Sequence, residues 1–271
     1  MAEESSEFEL ADATRVRVME TNLLHASDVI YWLDGSSANS PAAMSRIEFP
    51  LQITFTEKPK AIQYLHSPGK SAFWQIPTQP MHLGSTTEVE RTRPAQAPFD
   101  IAGHVYDPRQ HFNPATFEVT LGSGNGQGVV LYPSPLGVKA GAGGVLQGRI
   151  LKAIDGEPLI WGLLSLEVTV GLNETATFVG QTDAKGDFRI ALKRLPPLPL
   201  NTTEYAASLS VSGDMAASAD APANVSDFVA LTVESTTQAG NFSQEVALTV
   251  RPGQQQRINS MNKLFIAVQT V

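Results

Sequence analysis

The sequence predicts an all-β protein made of two or three antiparallel β-sandwich units. Short stretches in which apolar and polar residues alternate recur along the chain, as expected for strands with one buried face. Turn-forming residues separate these stretches, with 21 glycines and 18 prolines among 271 residues. The chain is 42% hydrophobic, so it can bury one large core or several small ones without disulfides or metals.

The N-terminal β unit is predicted over residues 8–98, after an acidic tail over residues 1–7. Its strands are expected where alternation is clear, at residues 8–19, 47–55, 61–65 and 71–76. Residues 78–98 are polar, contain three prolines and show no sustained period. This stretch therefore predicts a linker or a long crossing loop that ends the first unit.

The central unit is predicted over residues 99–200. Its expected strands cover residues 99–106, 115–121, 129–132, 145–153, 164–170, 176–182 and 188–192. The glycine-rich stretch 122–128 is expected to form a hairpin turn before the third of these strands. From residue 145 the strands and turns alternate closely, which is typical of a compact antiparallel sandwich.

The C-terminal β part is predicted over residues 201–271. Residues 201–250 contain six acidic residues and no Lys or Arg, and strand periods occur at residues 207–211, 228–233 and 245–250. Residues 263–271 fit either a final strand or a docking tail. The sequence leaves open whether this part folds alone or completes the central unit.

Composition excludes several functional classes. The chain has no Cys, so it has no thiol nucleophile, disulfide or Cys-ligated zinc. A net charge of −8 argues against nucleic-acid or anionic-membrane binding, which needs a basic face. The most apolar stretch, residues 158–170, contains Glu167 and is shorter than the roughly 20 residues that cross a bilayer. The acidic first ten residues do not resemble a secretory signal, so we expect a cytoplasmic protein.

Two motifs stand out between residues 145 and 197. They are Asp155-Gly156-Glu157-Pro158-Leu159 and Thr182-Asp183-Ala184-Lys185-Gly186-Asp187-Phe188. The glycines suit turns that need a positive φ, and Phe188 suits packing between sheets. With the preceding Gly148, this pattern resembles the carboxypeptidase regulatory-like β-sandwich domain. The resemblance implies immunoglobulin-like or regulatory-like sandwich units that serve as scaffolds, and it implies no reaction.

A second resemblance concerns the order of the parts. Residues 102–114, followed by the regulatory-like module and a proline-rich break, are similar to accessory β proteins of contractile phage-tail-like injection systems. This similarity implies a non-enzymatic structural or adaptor component that docks to cap, tube or sheath proteins. It also implies copies arranged in a ring, with six as the expected number, and assembly in the producing cytoplasm.

Candidate chemical sites are weak. His104, Asp107 and His111 could meet at one loop tip and hold a metal, but ordinary turn and surface roles are favoured. The 122–128 stretch lacks the Gly-Lys-Ser/Thr ending of a phosphate loop. Asp183 and Asp187 hint at calcium but lack the alternating ligands of an EF-hand. We therefore predict no catalytic, cofactor-binding or metal-binding residues and no enzyme activity of the chain itself.

Aromatic residues support an alternative function. They could form a platform that stacks on sugars, and they are Tyr31, Trp32, Tyr64, Phe73, Trp74 and Trp161. In a sandwich such residues more often lie in the core. A β-sandwich binding module for carbohydrate or a surface, and an accessory domain of a catalytic partner chain, remain as alternatives to the structural role.

Overall fold

The computed structural model describes residues 28–75, 97–122, 124–172, 174–193, 195–199, 201–222 and 224–271. The described residues form seventeen strands and two single-turn 3-10 helices, Pro41–Ala43 and Val225–Asp227, with no α-helix. The predicted all-β class is therefore confirmed. The acidic tail over residues 1–7, the predicted strand over residues 8–19 and most of the predicted linker over 78–98 lie outside the described residues.

The first seven strands form the N-terminal sandwich. They are β1 (Asp28–Asp34), β2 (Gln52–Glu57), β3 (Ile62–Ser67), β4 (Lys70–Gln75), β5 (Phe99–Tyr106), β6 (Ala115–Leu121) and β7 (Gln127–Leu131). One sheet has the order β3-β4-β1-β7 and the other the order β2-β5-β6. Residues from both sheets share one buried core, so the two sheets pack face to face.

Aromatic side chains centre the core of the N-terminal sandwich. Trp32 and Phe73 are fully buried, and the Trp32 ring meets Phe117 edge-on with 5.4 Å between ring centroids. The indole N–H of Trp32 donates to the Ser71 hydroxyl at 3.0 Å, which satisfies the one polar atom that the ring brings inside. These buried side chains therefore determine which face of β1, β4 and β6 points into the core.

The remaining ten strands form the C-terminal sandwich. They are β8 (Val145–Lys152), β9 (Leu163–Gly171), β10 (Glu174–Gln181), β11 (Asp187–Ala191), β12 (Tyr205–Gly213), β13 (Val229–Glu234), β14 (Phe242–Ser243), β15 (Glu245–Val250), β16 (Gln255–Arg257) and β17 (Ile266–Thr270). The main path of this sheet is β10-β9-β12-β13-β17-β8-β11, with β14, β15 and β16 attached to β13, β12 and β8. Its two ends, β10 and β11, approach each other because the sheet curves around one core.

The C-terminal core shows that residues 201–271 do not form a separate unit. Phe188, Ile150 and Leu166 of the regulatory-like segment share this core with Leu231 and Val268. The later strands also pair directly with β8 and β9. Residues 201–271 therefore complete the unit that begins at β8.

An ion pair between the buried Glu234 and the partly exposed Lys263 joins the last part of the chain to this unit. The Glu234 carboxylate accepts from the Lys263 ammonium at 2.5 Å and from the Gly240 N–H at 2.7 Å. Burial alone raises the pKa of Glu234, but these donors outweigh it and hold the pKa below its ordinary value. The Ser260 hydroxyl adds a bond to the Glu234 backbone carbonyl at 3.2 Å.

The expected boundary near residue 98 is not where the cores separate. Strands β5, β6 and β7, which were assigned to the central unit, pair with β2 and β1 and fill the N-terminal core. The chain passes from one core to the other between β7 and β8, through residues 132–144. Strands β4 and β5, which precede and follow residues 78–98 in the sequence, both belong to the N-terminal sandwich.

The 122–128 stretch is not the predicted hairpin turn. It carries the chain from β6 in the three-stranded sheet to β7 in the four-stranded sheet. The Asp28 carboxylate, which is buried, accepts from the N–H groups of Gly122 at 2.9 Å and Gly124 at 3.1 Å. Strand β7 then pairs with β1 in parallel, as does β8 with β16 and β17, so the pairing of described strands is not wholly antiparallel.

Turn chemistry in the regulatory-like segment is as predicted. Gly156 and Gly186 have φ values of +74° and +76°, which residues with a side chain rarely adopt. The Asp183 carboxylate accepts from the N–H groups of Lys185 and Asp187 and so closes its own turn. Phe188 lies fully inside the core.

Candidate functional site

His104, Asp107 and His111, the three residues considered for a metal site, lie at the end of β5 and in the turn that follows it. The Asp107 carboxylate is buried and accepts from the N–H groups of Arg109, His111 and another residue of the same turn, at 2.8 to 3.1 Å. His104 bonds the Thr116 hydroxyl at 3.2 Å. In the part of the chain that the structure describes, no three His, Cys, Asp or Glu side chains are grouped as a metal site.

The two aspartates considered for calcium are already engaged. Asp187 forms a two-pronged ion pair with Arg149, at 2.7 and 2.9 Å, and Asp183 accepts from backbone N–H groups. The hydrogen bond and charge of Asp187 raise the pKa of Arg149 above its usual range. Both carboxylates thus stabilise the β10–β11 turn and its neighbour β8.

Three of the six aromatic residues considered for a sugar-binding platform are buried. Trp32, Trp161 and Phe73 are buried, because they serve the two cores and the junction between them. Tyr64 stacks on Phe73 at 6.0 Å between centroids and meets Phe55 edge-on at 4.8 Å. The three buried rings therefore contribute packing energy and offer no face to a sugar, whereas Tyr31 and Trp74 are half-buried.

A buried polar network joins the two sandwiches. The Asn113 amide of the N-terminal sandwich donates to the Gln181 side-chain oxygen at 3.1 Å and to the Thr182 carbonyl at 3.0 Å. Gln181 donates onward to the Trp161 carbonyl at 3.0 Å. Trp161 has a φ of +58°, a backbone conformation that a bulky residue adopts only where its surroundings hold it.

A second contact lies beside this network. The Thr116 hydroxyl of β6 donates to the Pro222 carbonyl at 2.6 Å, and the Trp161 indole N–H donates to the Ser218 carbonyl at 3.1 Å. The loop that contains Ser218 and Pro222 thus contacts both sandwiches. Two separate hydrogen-bonded contacts fix the relative orientation of the two cores.

A cleft of about 270 Å³ opens where the two sandwiches meet, and we call it the junction cleft. Its charged lining comprises four cations, Arg46, Lys139, Arg189 and Lys193, and two carboxylates, Asp34 and Glu48. Arg189 and Lys193 reach it because Phe188, Ile190 and Leu192 face inward, and strand alternation turns the odd-numbered residues outward. The sequence analysis did not identify these cations. For Arg189 and Lys193, the available signal was their alternation with the apolar residues of β11 and its end.

Strand β3 is an edge of the N-terminal sandwich. Among the strands that the structure describes, it ends the four-stranded sheet and pairs only with β4, through a hairpin with a two-residue turn at Pro68 and Gly69. Leu65 is 63% exposed and Tyr64 is 40% exposed. An exposed edge with apolar side chains is an uncommon feature, since it can pair with another strand.

One titratable side chain sits beneath this edge. Burial lowers the pKa of His66, although a hydrogen bond to the Leu51 backbone opposes the shift. Its Nδ1 lies 2.8 Å from the Ser71 hydroxyl, which also accepts from Trp32. His66 therefore connects the edge strand to the core and does not project as a free surface base.

No protein-family model, curated protein or solved structure matches this chain. The described residues contain no helix with the length and apolarity that a membrane crossing needs.

Proposed function

We propose that this chain is a non-enzymatic structural adaptor of a contractile phage-tail-like injection particle. In this proposal it docks to a cap, tube or sheath protein by adding the partner's strand to β3. The edge position of β3 among the described strands, with its exposed Leu65, is the observation that supports the proposal.

The geometry of β3 suits strand addition. Ser67 and Lys70 flank the two-residue turn, so hydrogen-bonded pairs alternate from there along the hairpin. The backbone groups of Tyr64 and His66 then point away from β4, toward the free side. At the far end of β3, the Ile62 carbonyl accepts from the Lys58 ammonium at 2.5 Å. The docking strand would pair with the central part of β3.

The joined sandwiches suit an adaptor. Asn113 and Thr116 bond across the junction, so a partner held at β3 takes a defined position relative to the C-terminal sandwich. Copies that dock on a symmetric tube would form a closed ring, and six copies would match a six-fold tube. Assembly would take place in the cytoplasm of the producing cell, and neither nucleic acid nor membrane takes part.

The test is affinity purification of the tagged full chain from its native producer, followed by negative-stain microscopy and mass spectrometry. We expect sheathed tubes with cap, tube or sheath proteins in the eluate. Leu65→Lys should reduce their recovery about tenfold, since a charge on β3 replaces an apolar contact with the docking strand. Leu172→Lys is the matched control, because Leu172 is 99% exposed and lies between β9 and β10 of the other sandwich, outside β3.

Two results would overturn the proposal. A producer that makes no particle, or a purified chain without tail proteins, removes the particle role. Equal recovery with Leu65→Lys and Leu172→Lys removes β3 as the docking edge.

A further inference from the structure

The junction cleft carries an excess of positive charge in a chain whose net charge is −8. None of its four cations forms an ion pair with another residue that the structure describes. Arg46 instead lies over the Tyr31 ring, with its guanidinium carbon 4.2 Å from the ring centroid. The four cations of the cleft therefore have no ion-pair partner among the residues that the structure describes.

Arg189 adds a more specific observation. Its Nε is buried and has no hydrogen-bond partner among the described residues. A buried donor without a partner is costly, and more so on a charged group, so native structures rarely leave one unmet. Arg189 also lines the cleft, where an anionic group would offset the charge of its guanidinium.

The size and walls of the cleft limit the ligand. A volume of about 270 Å³ is small for a ligand pocket. Ile47, Phe49, Val138 and Val179 also line it. We therefore expect a compact ligand that carries carbon atoms as well as anionic groups.

We propose that the junction cleft binds a small organic anion with two or more phosphate or carboxylate groups. Arg189 and Lys193 of the C-terminal sandwich bind its anionic groups. Arg46 approaches from the N-terminal sandwich, and Lys139 from the segment that connects the two. A bound anion thus bridges the two sandwiches. This proposal is independent of the adaptor role, since none of these residues belongs to β3.

Isothermal titration calorimetry of the full chain with pyrophosphate and with citrate tests the proposal. We expect binding to one site per chain, weakened as salt rises from about 50 to about 200 mM, because charge pairing is screened. Arg189→Gln and Lys193→Gln should each weaken binding about tenfold, the loss typical of a charged hydrogen bond. The control is Lys185→Gln, which removes an exposed cation of the same strand region outside the cleft and should change binding less than about twofold.

The two ligands separate the sources of the anion. Tighter binding of pyrophosphate indicates an organic phosphate as the natural ligand, and tighter binding of citrate indicates a polycarboxylate. The proposal is overturned if neither ligand binds with a Kd below about 1 mM. It is also overturned if Lys193→Gln, at an exposed position that folding does not require, binds both anions as tightly as Lys185→Gln does.

Discussion

Replacement of Asn113 by Ala tests whether the two sandwiches stabilise each other. The side chain is buried and makes two hydrogen bonds across the junction, to Gln181 and to the Thr182 carbonyl. Each such bond contributes about 1 kcal/mol, and an acceptor left buried without a donor adds to the loss. We expect the free energy of unfolding to fall by about 3 kcal/mol, which is more than a 100-fold change in the unfolding equilibrium.

Urea unfolding followed by tryptophan fluorescence measures this change. Trp161 lies in the junction network and Trp32 in the N-terminal core, so both sandwiches contribute to the signal. If the junction couples the two cores, the wild-type chain unfolds in one transition, and Asn113→Ala broadens it or splits it in two. A change in midpoint with an unchanged slope would mean that only stability, and not coupling, was affected.

The matched control for this experiment is Asn241→Ala. Asn241 is exposed, and its side chain makes no hydrogen bond with another described residue. We expect the control to change the free energy of unfolding by less than about 0.5 kcal/mol. If Asn113→Ala changes it no more than the control does, the junction network does not hold the sandwiches together and this reasoning is refuted.

Two further predictions concern the C-terminal sandwich. Ala at Gly186 or Gly156 costs about 1 kcal/mol through its positive φ, but only at Gly186 would the new Cβ collide with the Ile150 carbonyl oxygen. Gly186→Ala should therefore cost about 2–4 kcal/mol in urea unfolding, and equal losses at the two sites would contradict this. Because the pKa of Glu234 is depressed in the folded state, its ion pair with Lys263 stabilises the fold above pH 4.5 and is lost as the pH falls. Unfolding of Glu234→Gln should be less pH-dependent below pH 4.5, and an unchanged acid limb would count against the pair.

The sequence predicts most strands well, because each strand's alternation is a local property. The observed bounds of β5, β6 and β15 are those expected, and β11 differs from its expected bounds by one residue at each end. The turns at Gly156 and Gly186 could be predicted equally well, since few residues other than glycine adopt their φ values. Strand β1 was missed because residues 29–33 form a continuous apolar run without alternation.

Strand partners could not be predicted in the same way. Period and composition do not say which strand lies beside which, so the pairing of β7 with β1 and the true limit between the sandwiches were beyond local reasoning. The junction cleft was missed for a related reason. Arg46 and Lys139 lie far from Arg189 in sequence, and only the packed sandwiches bring them together.

The position of β8 has a consequence for how the chain folds. On one side, strand β8 pairs with β11, which is close to it in the sequence. On its other side it pairs with β16 and β17, which are more than 100 residues later, and there Ile150 lies opposite Ile266. Such distant parallel pairing makes closure slow, since the entropy of a long loop is lost before the contacts form. During synthesis, β8 leaves the ribosome with an open edge and keeps it until the last strand emerges. Until then this edge is the part of the C-terminal sandwich most exposed to pairing with other nascent chains.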